Sequence, residues 1–131
     1  LPLVICDVQR AGPATGLPTK TEQADLFQAI YGRHGEAPLP VIAAQSPGDC
    51  FDTVLEASRI ALTYRTPVIV LSDGYLANGS EPWAVPDLEK IPRIDPGFAT
   101  EPNGPDGSFL PYARDEFGAR AWAVPGTAGL D

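Results

Sequence analysis

Three short runs of almost unbroken apolar residues punctuate the first half of the chain: Leu3-Val4-Ile5-Cys6, Val41-Ile42-Ala43-Ala44 and Val68-Ile69-Val70-Leu71. Runs of this length without polar alternation predict strands covered on both faces, as in a parallel sheet. Between the first two, Ala24, Phe27, Ile30 and Tyr31 fall at helical spacing, predicting a helix of about three turns over 21–31 that stops at Gly32. Thr19-Lys20-Thr21-Glu22 matches a capping box and sets that helix's start at Thr19. Between the second and third runs, Ser46-Pro47-Gly48-Asp49 combines a serine N-cap, a proline in the first turn and an early acid. It opens a helix over 47–64, in which Phe51, Val54, Leu55, Ser58, Ala61 and Leu62 form one face expected to pack on the sheet. Thr66-Pro67 closes it, because the residue before a proline is disfavoured in helical conformation. The order β-α-β-α-β predicts an α/β fold with a parallel sheet, helix layers and right-handed crossovers.

From residue 80 to 131 no period persists, prolines and glycines are scattered, and nine acids face four bases. This is an irregular arm rather than a second domain. Trp83, Phe98, Phe109, Tyr112, Phe117 and Trp122 carry too much aromatic surface for a free linker, so the arm is expected to lie on a surface, its own or a partner's. A sheet with unpaired edges and such an arm is expected to be marginal alone and to self-associate.

The chain's 131 residues carry a net charge of −8, which opposes binding to nucleic acid or an anionic membrane. No apolar run approaches the roughly 20 residues of a membrane span. The absence of methionine and the direct entry of Leu1-Pro2-Leu3 into a strand suggest a piece of a longer gene product. Cys6 and Cys50 form no Cys-x-x-Cys pair and have a single histidine for company, so both are expected to be reduced, buried thiols in a cytoplasmic protein.

The chemistry is expected where the first strand ends. Arg10 leaves that strand into a loop with Gly12 and Gly16, and in open α/β sheets this edge binds ligands. A guanidinium fork, glycines that let a ligand approach the backbone and a helix N-terminus at Thr19 suit a carboxylate or phosphate. Lys20-Thr21 resembles the end of a phosphate-binding P-loop, but Thr19 stands where that motif needs glycine, which argues against nucleotide hydrolysis. His34 could serve as an acid or base, although no triad accompanies it and a plain loop histidine is the simpler reading. Asp73-Gly74 also lies at the ligand edge, where it reads as a turn.

Three stretches carry a family resemblance: Gln9-Arg10-Ala11-Gly12-Pro13-Ala14-Thr15-Gly16-Leu17-Pro18-Thr19-Lys20-Thr21-Glu22, Tyr31-Gly32-Arg33-His34-Gly35-Glu36, and Leu71-Ser72-Asp73-Gly74-Tyr75-Leu76-Ala77-Asn78-Gly79-Ser80-Glu81-Pro82-Trp83. Together they closely resemble the α subunit of 2-oxoglutarate:ferredoxin oxidoreductases, and the likeness extends into the tail.

The resemblance implies a fragment of a thiamine diphosphate-binding fold. Residues 1–79 would be the C-terminal half of the pyrimidine-binding domain and residues 80–131 the arm towards the next domain. The parent enzyme would decarboxylate a 2-oxoacid, most simply 2-oxoglutarate, transfer electrons through an iron–sulfur centre to ferredoxin and release an acyl-CoA. Its activating glutamate would precede Leu1, while the diphosphate, Mg2+ and 4Fe-4S cluster would belong to a β subunit. The fragment would then hold no catalytic residue or metal ligand and be inactive alone. Implied partners are the β subunit, ferredoxin, the 2-oxoacid and coenzyme A, in an oligomer. By resemblance, Arg10 holds the substrate's carboxylate and Thr19 takes part in substrate recognition. Ala11 replaces a frequent family glycine and should fit unless that position needs positive φ. A non-catalytic module for anion binding or subunit assembly is the alternative.

Overall fold

In the computed structural model the described residues are 1–14, 16–17 and 20–130. Six elements follow one another: β1 (Leu3–Gln9), α1 (Leu26–Tyr31), β2 (Val41–Ala43), α2 (Asp49–Tyr64), β3 (Pro67–Asp73) and α3 (Gly74–Asn78). The strands form one parallel sheet in the order β1-β3-β2. All three predicted strands are present. In register, Leu3 lies opposite Pro67 and Gln9 opposite Asp73, so β1 and β3 end together.

The core is small. Ala57 and Ala61 of α2 press on Val68 and Val70 of β3, with Val4, Ile42 and Ile60 at its margin. The helix therefore buries the face of Thr53, Ala57 and Ala61, rotated from the face of larger apolar residues expected from their spacing. Small side chains allow the helix axis to come close to the central strand. The larger residues flank the contact, and Val54 is 39% exposed. The expected serine N-cap is displaced, because the N-cap is Gly48, which has no side-chain cap, although the Asp49 N–H donates to Ser46 Oγ at 3.3 Å. The helix itself begins two residues later than expected, at Asp49.

Two expectations about the first strand and helix fail for one reason. Expected to be covered on both faces, β1 is an edge strand on which Leu3, Ile5 and Val8 are exposed. The Cys6 thiol is consequently exposed and Cys50 only partly buried, not the two buried thiols anticipated. Helix α1 is six residues long rather than eleven, and buries only Ala29. Residues 21–25 are not helical, because tertiary hydrogen bonds described below take up Gln23 and the Asp25 N–H. With Phe27 and Tyr31 facing outward, little apolar burial offsets the cost of extending so short a helix.

Beyond residue 79 the arm contains isolated bridges, Phe98 with Trp122 and Arg114 with Arg120, but no helix or strand among the described residues. Two of its aromatics find partners on α2. Trp83 packs against Phe51 and Phe117 against Tyr64, with ring centroids 5.6 and 5.8 Å apart. Glu81 fastens the start of the arm by accepting from Ser46 Oγ and the Gly48 N–H. A Cβ at Gly48 would lie 2.5 Å from the Glu81 carboxylate and 2.9 Å from the Trp83 ring, so glycine is what lets the arm seat there.

Candidate functional site

At the C-terminal edge of the sheet, three polar side chains from distant parts of the sequence lock together. Gln9 ends β1 and is buried; its Nε2 donates to the Ser72 carbonyl at 3.1 Å and its Oε1 accepts from the Asp25 N–H at 3.0 Å. Asp73 ends β3, also buried. Its Oδ1 accepts from the backbone N–H groups of Tyr75 and Leu76, and its Oδ2 accepts from Gln23 Nε2 at 2.8 Å. Asp73-Gly74 is thus not merely a turn, since Asp73 is the N-cap that starts α3.

The Gln23 amide, followed by the two backbone donors, holds the Asp73 carboxyl below the usual carboxylate range against the opposing effect of burial. The carboxylate is therefore ionised at neutral pH and fully engaged. Stability linked to this group is present above the ordinary carboxylate pKa and is lost as pH falls through the lowered folded value. Asp73→Asn should flatten the acid limb of urea-unfolding stability measured on the intact subunit between neutral and acid pH. Asp73→Ala should in addition cost about 1–2 kcal/mol at neutral pH through loss of the cap. An unchanged acid limb in the asparagine variant would contradict this linkage.

Beside this network lies a cleft of about 190 Å3, whose lining includes Leu26, Leu71 and Leu76 together with Gln9, Gln23 and Asp73. Arg10 follows directly, exposed between the buried Gln9 and Ala11, and is not among the residues that line the cleft. Its backbone is held on both sides while its side chain reaches solvent. Ala11 does not adopt positive φ and is itself buried, so it fits its place. Ala11 pairs with Leu17 across the loop, and the Leu17 N–H donates to the Ala11 carbonyl at 3.1 Å.

Thr19 lies outside the described residues, and with it the capping box. The described residues 20–25 are not helical; α1 starts at Leu26, and the Asp25 N–H is given to Gln9. His34 is exposed in the loop after α1 and does not line the cleft. Its neighbour Arg33 holds that loop by donating to the carbonyls of Ala29, Ile30 and Ala37. Gln9 and Gln23 escaped the sequence reading. Glutamine has no periodic signature, and only aligning the ends of β1 and β3 could have pointed to Gln9.

Residues 1–110 match the family model described as pyruvate flavodoxin/ferredoxin oxidoreductase, thiamine diphosphate-binding. The chain belongs to this family. It is 62% identical to the 2-oxoglutarate oxidoreductase subunit KorA of Mycobacterium tuberculosis, over all of this chain and 20% of that protein. It is 39% identical to the 2-oxoglutarate synthase subunit KorA of Methanothermobacter marburgensis, over 85% of this chain and 28% of that one. Among solved structures it superposes, with a TM-score of 0.78 and 37% identity, on 2-oxoglutarate:ferredoxin oxidoreductase from Magnetococcus marinus with 2-oxoglutarate, coenzyme A and succinyl-CoA bound. That match covers 99% of this chain and 22% of the other. The chain thus spans between about a fifth and just over a quarter of the length of these relatives.

Membership in a thiamine diphosphate-binding family raises the question of which end of the cofactor these residues suit. Among the described residues no group of three or more His, Cys, Asp or Glu side chains is gathered to hold a metal ion. Asp73, the buried acid nearest the cleft, has both oxygens committed to N–H donors. The described residues therefore do not fit a metal-bound diphosphate. No described helix is long and apolar enough to cross a membrane.

Proposed function

We propose that the chain is part of the α subunit of a cytoplasmic 2-oxoacid:ferredoxin oxidoreductase acting on 2-oxoglutarate, and that it supplies the loop that receives the substrate's carboxylate. The observation that carries this reading is the likeness, along nearly the whole chain, to an oxidoreductase that holds 2-oxoglutarate, coenzyme A and succinyl-CoA. In the intact enzyme, thiamine diphosphate supplies the carbanion chemistry of decarboxylation. Coenzyme A would accept the acyl group once carbon dioxide has left, and a 4Fe-4S cluster would supply the route for the two electrons to ferredoxin. Mg2+, the diphosphate and the cluster are assigned to a β subunit.

This chain's own contribution is positional. Arg10, exposed beside a rigid strand end, offers two parallel N–H donors that match a carboxylate's two oxygens. Thr19, nine residues further along the same motif, is assigned to recognition of the same substrate. Gln9 supports Arg10 indirectly, since its two hydrogen bonds fix the end of β1 against β3 and α1. Residues 1–79 form the C-terminal half of the pyrimidine-binding domain, and residues 80–131 are the arm towards the next domain.

The direct test is reconstitution of the full-length α and β subunits. Release of carbon dioxide from 2-oxoglutarate, dependent on coenzyme A and coupled to ferredoxin reduction, is the expected result. An assembled, cofactor-loaded complex that neither binds labelled 2-oxoglutarate nor turns it over would favour an assembly module instead.

A further inference from the structure

Helix α2 ends at Tyr64, and Arg65 turns the chain out of it in a left-handed conformation with φ 53°. From there its guanidinium lies over the Trp122 ring, 4.5 Å from the centroid, and Nη2 donates to the Gly97 carbonyl at 2.9 Å. Its other terminal nitrogen, Nη1, is buried and has no hydrogen-bond partner. A buried donor on a charged group is costly to leave without an acceptor.

Arg65 lines a cavity of about 320 Å3 formed between the end of α2 and the arm, and Arg114 and Arg120 line it too. Three of the chain's nine basic residues thus surround one space in a protein of net charge −8. None of the three belongs to an ion pair among the described residues. Asp115, the acid in the lining, has its Oδ1 occupied by the N–H groups of Phe117 and Ala119. The remaining arginine contacts are to backbone or ring: Arg114 Nη1 donates to the Gly118 carbonyl, and Arg120 lies over Tyr112. Three like charges around a cavity repel, and an anion between them would remove the repulsion.

We propose that this cavity is an oxyanion site that takes the phosphate of a phosphate monoester. A carboxylate has two oxygens and is satisfied by a single guanidinium fork. A phosphate monoester brings up to two charges and three terminal oxygens, which matches three surrounding guanidiniums. The cavity exceeds the volume of one phosphate group, and Ala99 and Ala121 give the organic remainder an apolar wall.

The location separates this site from the substrate loop. Arg65 lies two residues before β3 begins at Pro67, whereas the Gln9–Asp73 cleft is at the strand's other end. A strand of seven residues, at about 3.3 Å each, puts roughly 20 Å between the two edges. The proposal therefore stands whether or not Arg10 binds a 2-oxoacid.

The test uses the intact enzyme. Selenate soaked into its crystals and located by anomalous scattering should occupy the cavity within hydrogen-bond reach of the arginines that line it. No anomalous peak there, or a carboxylate from another segment of the intact protein filling the space, overturns the proposal. In solution, titration with inorganic phosphate should reveal a site whose affinity drops about tenfold or more in Arg65→Gln, with the KM for 2-oxoglutarate unchanged. Arg120→Gln, at an exposed position, gives the same readout without risk to folding. Wild-type phosphate affinity in a folded variant at either position equally refutes the assignment.

Discussion

Gly16→Ala in the intact enzyme should cut kcat/KM for the 2-oxoacid by about 100-fold or more. Gly16 has φ +56°, and a Cβ built on it would sit 1.6 Å from the Ala11 carbonyl oxygen and 2.7 Å from its carbon. No side-chain adjustment relieves an overlap with backbone. The Ala11 carbonyl would have to move away, breaking its hydrogen bond from the Leu17 N–H and shifting the residue next to Arg10. Displacing a positioning group by about 1 Å is enough to cost on the order of 100-fold. Gly12→Ala is the control, because a Cβ there meets nothing within 4 Å and φ is not positive. It should remain within about twofold of wild type. If Gly16→Ala does the same, the loop does not position substrate.

Arg10→Lys should raise the KM for the 2-oxoacid about 10- to 150-fold, the equivalent of roughly 1.5–3 kcal/mol for one charge-assisted contact. Lysine keeps the charge but presents it as a point, without the planar pair of donors that orients a carboxylate. Because Arg10 is exposed, the substitution should leave thermal stability nearly unchanged, which separates a binding defect from a folding one. Steady-state kinetics on the reconstituted complex decide the matter. A KM within about twofold of wild type removes Arg10 from the substrate site.

The parallel sheet was legible because its strands are short apolar runs bounded by prolines, and α2 because Ser46 and Pro67 mark its two ends. Periodicity misled where packing depends on closeness rather than size. Ala57 and Ala61 fill the helix–sheet contact, while larger residues on the expected face flank it or turn to the arm. Helix α1 is shorter than its sequence suggests because local capping chemistry says nothing of tertiary competitors. Gln9 and Asp73, 16 and 50 residues from their partners Asp25 and Gln23, hold the segment before Leu26 out of the helix. In the candidate site, the exposed Arg10 could be read from its place at a strand exit. The glutamine–aspartate scaffold beneath it could not, since it exists only once β1 and β3 are in register.

The arm's attachment to α2 bears on where this piece can be cut. Glu81 and Trp83 grip the beginning of the helix, and Phe117 and Trp122 grip Tyr64 and Arg65 at its end. A helix of 16 residues, about 24 Å long, is thereby splinted along its length. The family match stops at residue 110. A recombinant piece trimmed to that boundary would lose the distal grip, baring the Tyr64 ring and uncovering the Arg65 guanidinium at the point where the chain enters its central strand. The mechanical unit therefore runs at least to Trp122, past the border of the family match.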